Sequence, residues 1–169
     1  SIPCTLAAAL LLAGCTTVDT GRLAVERNDA EAARATLEPM AGDGSPEAAY
    51  LLGVMYDEGR GVRVDHAVAA QWYRQAADAD HAAAQTNLGV LYFHGHGAPR
   101  DRGQAASWYR RAAEQGFVLA HHNLGVCYLF GHGVEQDDDQ AAHWLLPAAE
   151  AGHAPAQYLA GTLFYDGVG

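Results

Sequence analysis

Apolar and small residues return along this chain at helical spacing. Ala84, Leu88, Leu91 and Tyr92 fall at i, i+4, i+7 and i+8, the spacing of one buried helix face. A second face of the same period carries Ala105, Trp108, Ala112 and Ala113, small residues around one large ring. Between them lies Gly95-His96-Gly97, where a glycine can take the left-handed conformation that ends a helix without a Cβ clash. Asp101, followed three residues later by Gln104, has the form of a capping box and marks the start of the second helix. Asp137 and Gln140 repeat it. No stretch alternates apolar and polar residues as a half-buried strand does. The pattern therefore predicts an all-α chain built from antiparallel helical hairpins, each helix about three turns long.

The hairpin recurs with a period of 36 residues. Gly53, Gly89, Gly125 and Gly161 keep that spacing, as do Tyr56, Tyr92, Tyr128 and Phe164, the two glycines of the GxG loop, Asp65, Asp101 and Asp137, and Trp72, Trp108 and Trp144. A glycine inside a helix costs about 1 kcal/mol against alanine, so its return in every unit implies a compensating contact, read here as close approach of a neighbouring helix. Pro39 stands three periods before Pro147 in similar local strings, which assigns residues 29–41 to a second helix and 17–28 to a short first one; both prolines are expected to bend their helices. The units are a degenerate repeat over 16–44, repeats over 45–80, 81–116 and 117–152, and an incomplete one over 153–169. Side by side they form an α-solenoid of stacked antiparallel helical hairpins. The last segment carries Tyr158, Leu159, Leu163, Phe164 and Tyr165 rather than a polar capping face, so the array is expected to continue beyond Gly169.

Composition narrows the partners. The chain has 169 residues, 50% of them hydrophobic, and a formal net charge of -10 with 20 acidic against 10 basic residues. That balance excludes a sequence-independent hold on nucleic-acid phosphate. Leu6 to Ala13 is apolar but far shorter than the ~20 residues of a membrane-spanning helix, and it ends at Leu12-Ala13-Gly14-Cys15. Those four residues resemble the bacterial lipobox. The resemblance implies a signal peptide over 1–15, lipidation of Cys15, and, with Thr16 rather than Asp following, an outer-membrane lipoprotein facing the periplasm and held there by its lipid. No initiator Met or basic segment precedes Ser1, so the natural chain is expected to begin earlier. With Cys4 removed and Cys15 lipidated, only Cys127 remains, at the repeat position of Met55, Leu91 and Leu163. It reads as a small buried hydrophobe, and no disulfide framework is available.

Leu88-Gly89-Val90-Leu91-Tyr92 shares its LGxxY core with tetratricopeptide hairpins, whose period is 34. A 36-residue unit with a GxG loop, a later Asp, a Trp and an ending such as Ala112-Ala113-Glu114-Gln115-Gly116 resembles the Sel-one-like repeat (SLR) family over residues 29–169. The resemblance implies a scaffold or adaptor for other proteins; related bacterial lipoproteins organise envelope assemblies, including polysaccharide export machinery. An alternative is a penicillin-interacting or weakly β-lactamase-like envelope protein, an activity reported for cysteine-rich relatives with one disulfide per unit, which this chain lacks.

Sequence chemistry points away from catalysis. A serine β-lactamase needs a lysine near its nucleophile and this chain has no lysine; GxSxG, HExxH and GxxxxGK are also missing. His94, His96, His121, His122 and His132 invite a metal reading, but His96 and His132 occupy equivalent loop positions a full repeat apart, so no cofactor or metal is expected. Asp137-Asp138-Asp139 reads as a helix cap with favourable charge at the positive helix end. Binding of a protein or peptide partner is then the expected function. By analogy with tetratricopeptide hairpins, the concave surface is assigned to first-helix positions that vary among units: Tyr50, Thr86, His122 and Tyr158 in one row, Asp57, Phe93, Leu129 and Tyr165 in a second, and Glu58, His94, Phe130 and Asp166 beside it.

Overall fold

The structure is a computed structural model that describes residues 17–165 and Gly167. The lipobox with Cys15, and Asp166 at the far end, lie outside the described residues. Among those described, nine helices follow one another without a strand: α1 (Thr17–Glu26), α2 (Ala30–Gly42), α3 (Pro46–Glu58), α4 (His66–Asp78), α5 (Ala82–His94), α6 (Arg102–Glu114), α7 (Val118–Phe130), α8 (Asp138–Glu150) and α9 (Ala154–Tyr165). Helices pair in sequence as hairpins α1/α2, α3/α4, α5/α6 and α7/α8, and each pair stacks on the next. The expected α-solenoid is what the chain forms.

Local chemistry sets the boundaries. Each second helix starts at an aspartate whose carboxylate accepts from free N–H groups of the first turn: Asp29 from Ala32, Asp65 from Ala67 and Val68, Asp101 and Asp137 from Gln104 and Gln140. Gln104 also donates its side-chain amide to Asp101 Oδ2 at 3.1 Å, so the box closes on the carboxylate. First helices end at Gly59, Gly95 and Gly131, all left-handed, with φ of 71°, 77° and 65°. The loop then folds back, and Asp65, Asp101 and Asp137 donate their backbone N–H to the carbonyls of Tyr56, Tyr92 and Tyr128. Both prolines sit inside helices that run on past them, α2 through Pro39 and α8 through Pro147.

The recurring helix glycine admits a side chain rather than a bare backbone. A Cβ built on Gly53 would lie 2.4 Å from the Tyr73 ring, one on Gly89 2.6 Å from Tyr109, and one on Gly125 2.5 Å from Leu145. These residues follow the repeated tryptophans by one position, and they fill the hairpin: Tyr73 and Leu145 are fully buried and Tyr109 nearly so, whereas Trp72 and Trp144 are only half-buried. The degenerate first unit obeys the same rule, with Gly21 set 2.3 Å from Leu37. Among the described residues, no second helix follows α9 and Gly161 has no such neighbour.

Stacking between units rests on the other end of the repeat. The second glycine of each GxG loop presses on the start of the preceding second helix. A Cβ on Gly61, Gly97 or Gly133 would stand 2.2 Å from the carbonyl oxygen of Asn28, His66 or Arg102. Beside this contact an arginine of one unit donates to a tyrosine hydroxyl of the next, Arg74 to Tyr92 and Arg110 to Tyr128, with each guanidinium also near the ring face. At the short turns, Arg111 donates to Asp80 at 2.8 Å and Gln115 to Gln85 at 2.8 Å.

These contacts predict opposite effects for the same substitution at packed and unpacked helix glycines. Gly89→Ala should destabilise the chain by about 1–3 kcal/mol through overpacking against Tyr109, although alanine is the better helix former. Gly42→Ala, at the last residue of α2 with open space around it, should stabilise by up to about 1 kcal/mol. Urea denaturation of the two variants measures both.

Candidate functional site

First helices of consecutive units meet, α1 with α3 and α3 with α5, along one face of the stack, taken as its inner face. Two clefts lie on that inner face. One, of about 230 Å³, is lined by Arg22, Val25, Glu26, Tyr50, Leu51, Val54, Glu58, Arg60 and Asn87. The other, of about 150 Å³, runs between α5 and α7 and is lined by Val90, Phe93, His94, Tyr109, His122, Asn123 and Val126. Together they make a groove with a charged half over the earlier units and an aromatic half over the later ones.

The residues expected to bind a partner divide accordingly. Tyr50, Glu58, Phe93, His94 and His122 line the groove. Phe130 is 57% exposed and Tyr158 71%, both free to meet another molecule. Three others are engaged by the fold. Thr86 is only 3% exposed and its hydroxyl donates to the Ala82 carbonyl, so it presents nothing to a partner; a β-branched residue there closes the helix-to-helix seam. Asp57 accepts from the Tyr73 hydroxyl at 3.2 Å and lies 2.8 Å from His66 Nδ1. Leu129 packs on the core of the last units. Sequence reasoning missed Val54, Val90 and Val126, which follow the helix glycines at the same 36-residue step and floor both clefts. Their regular spacing was the available signal, and the search for variable positions passed over it.

Electrostatics within the groove are mostly settled internally. Arg22 pairs with Glu47, Arg60 with Glu58 at 2.5 Å, and Glu47 also meets His81 at 2.9 Å, while the His81 ring stacks on Tyr50 at 4.6 Å. A path of six rings runs along the loop side, His66, His96, His94, Phe93, His132 and Phe130, with centroid spacings of 5.1, 5.4, 5.2, 5.3 and 5.8 Å. Arg102 lies over the Phe93 ring at 5.0 Å. Among the described residues, no group of three or more His, Cys, Asp or Glu side chains converges as a metal site would. Cys127 is 1% exposed, and burial pushes its thiol up to about 11, which fits a core hydrophobe.

Burial lowers His121, His122 and His132 below the ordinary histidine value of 6.5, with His153 adding to the effect on His122 and Arg102 on His132. The Nδ1 atom of each is buried without a hydrogen-bond partner among the described residues. Because the unfolded chain takes up protons near 6.5 that the folded chain refuses, the stabilisation is complete above that pH and is lost as pH falls towards the lowered values. The melting temperature should therefore drop between pH 7.5 and 5.5, and His122→Gln should flatten that drop; an unchanged slope would show that His122 titrates freely.

With this geometry in place, comparisons assign the chain. The Sel1 repeat model matches residues 46–81, 82–117 and 118–153. The crystal structure of a Sel1 repeat protein from Oxalobacter formigenes superposes with a TM-score of 0.81 at 36% identity, covering 88% of this chain and 60% of that one. That of c5321, a protective antigen present in uropathogenic Escherichia coli strains and displaying an SLR fold, gives 0.81 at 34% identity, covering 89% of this chain and 34% of that one. No curated protein matches the chain. The chain thus spans less than two thirds of either solved relative. Three matched units, their hairpin packing and these superpositions make the chain a member of the Sel1 repeat family.

Proposed function

We propose that this chain is a scaffold that holds a segment of a protein partner in the groove of its first helices, and that a lipid on Cys15 tethers it to the outer membrane facing the periplasm. Sel1 repeat proteins generally mediate protein–protein interactions, and the fold is typically non-enzymatic. The observation that carries the reading is the groove itself. Its floor is a row of valines one repeat apart, and its later half offers Phe93 as an anchor in the way hot-spot residues do, with the exposed Phe130 ring beside it across His132. Its charged groups are largely spent on neighbouring side chains: Arg22 pairs with Glu47 and Arg60 with Glu58. The lipid anchor is supported by the Leu12-Ala13-Gly14-Cys15 sequence.

Two measurements test it. A photo-cross-linking residue placed at Val90 or Val126 should capture a protein partner from envelope preparations, whereas one at the solvent-facing Gln71 of α4 should not. The paired change Phe93→Ala and Phe130→Ala should lower capture by about tenfold or more while circular dichroism reports a folded chain; capture that is equal at all three positions would remove the groove. Labelling with radioactive palmitate should mark the chain and fail on Cys15→Ser.

A further inference from the structure

A cleft of about 640 Å³ lies where α2 meets the long loop and the start of α4, and the groove of first helices does not include it. Arg34, Tyr56, Val62, Arg63, Val64, Asp65, His66, Ala67 and Gly97 line it. It exists because the interface between the first two units departs from the repeat. Arg34 stands where later units carry Ala70, Ala106 and Ala142, and Glu38 stands where they carry Arg74 and Arg110. Tyr92 and Tyr128 each receive an arginine from the unit before. For Tyr56 the equivalent place holds Glu38 instead of an arginine, and Glu38 is taken by Arg34 Nε at 2.8 Å.

The charge balance of the cleft favours an anion. Each nearby carboxylate is already used: Glu38 by Arg34, Asp65 by the N–H groups of Ala67 and Val68, Asp57 by His66 and Tyr73. Arg63 is exposed and makes no ion pair or hydrogen bond among the described residues, and Arg34 commits only its Nε, leaving its terminal nitrogens to donate. Two guanidinium groups beside a phenol present the fork geometry that suits carboxylate or phosphate oxygens. Val62, Val64 and Ala67 supply an apolar wall, with Val64 47% exposed. We infer that this cleft binds a small organic oxyanion, a carboxylate or phosphate carried on a compact apolar body, held by Arg63 and Arg34 with the body against Val62, Val64 and Ala67. The site is independent of the groove and of any partner there.

The test is a titration of the ¹⁵N-labelled chain followed by its amide resonances, with benzoate, phenyl phosphate, inorganic phosphate and benzyl alcohol as probes. Benzoate or phenyl phosphate should shift residues 62–67 and Gly97 saturably with a dissociation constant of about 1 mM, and which of the two binds tighter identifies the head group. Inorganic phosphate should bind at least about tenfold more weakly and benzyl alcohol should produce no saturable shift. Arg63→Glu should weaken binding about tenfold or more, and Ala67→Phe, which fills the cleft without changing charge, should abolish it. Arg27→Glu, with the same charge change on the turn between α1 and α2, should leave binding intact. Shifts absent at ten times that concentration, an equal loss in Arg27→Glu, or equal binding of benzyl alcohol would each overturn the proposal.

Discussion

The solenoid depends on atoms that are missing. At two places in each of the three complete units the chain needs the space that a Cβ would occupy, once inside the hairpin and once between hairpins. Inside, a Tyr or Leu ring or branch of the second helix sits where the side chain of Gly21, Gly53, Gly89 or Gly125 would project. Between units, the second loop glycine comes down on the first carbonyls of the preceding second helix. Packed interiors tolerate neither overlap nor void, so these two contacts fix the pitch of the stack. A 13-residue helix that gives up a methyl group at its centre loses about 1 kcal/mol of propensity, and burial of a whole tyrosine ring in the resulting hollow, at about 1.5–3 kcal/mol, more than offsets it.

That pitch produces the groove. First helices carry the hollows and so lie close to their own partners, and those of consecutive units meet along one face, while second helices project the bulky residues. The inner face inherits whatever the first helices leave unburied, which is a row of valines, a few aromatic rings and polar tips that are mostly tied down. The groove and the exposed Phe130 are thus consequences of one packing rule repeated at a fixed step.

Much of this was legible in the sequence because the rule acts at fixed positions. The period, the loop glycines, the aspartate caps and the burial of Cys127 all follow from residues that recur at one spacing. What was not legible involves side-chain direction. Trp108 and Tyr109 are adjacent, and only the azimuth of the helix decides that the tyrosine, not the tryptophan, enters the glycine hollow. Thr86 shares a row with exposed Tyr158, yet it is buried, and its hydroxyl turns back to the Ala82 carbonyl. Gly21 escaped the 36-residue register for a different reason. It precedes Leu37 by 16 residues where Gly53 precedes Tyr73 by 20, since residues 27–29 replace a loop as long as 59–65. The deletion lies wholly in the loop: Gly21 stands five residues before the end of α1 as Gly53 does in α3, and Leu37 seven after the start of α2 as Tyr73 does in α4, so the packing survives although the register is lost.

The irregular positions then acquire a meaning that a regular array hides. Where every unit uses the same residue, that residue is committed to stacking, as Arg74 and Arg110 are to Tyr92 and Tyr128. Where one unit departs, its side chains are released from that duty. Glu38 breaks the arginine series, turns Arg34 towards itself and leaves Tyr56 and Arg63 facing an open cleft. Phe93 and Phe130 likewise differ from Asp57 and Glu58, which pair internally in the earlier unit, and so the aromatic half of the groove lies where ion pairs have been given up. In a chain whose framework is set by recurrence, binding chemistry concentrates at the exceptions, because only there are strong donors and rings not already spent on the neighbouring unit.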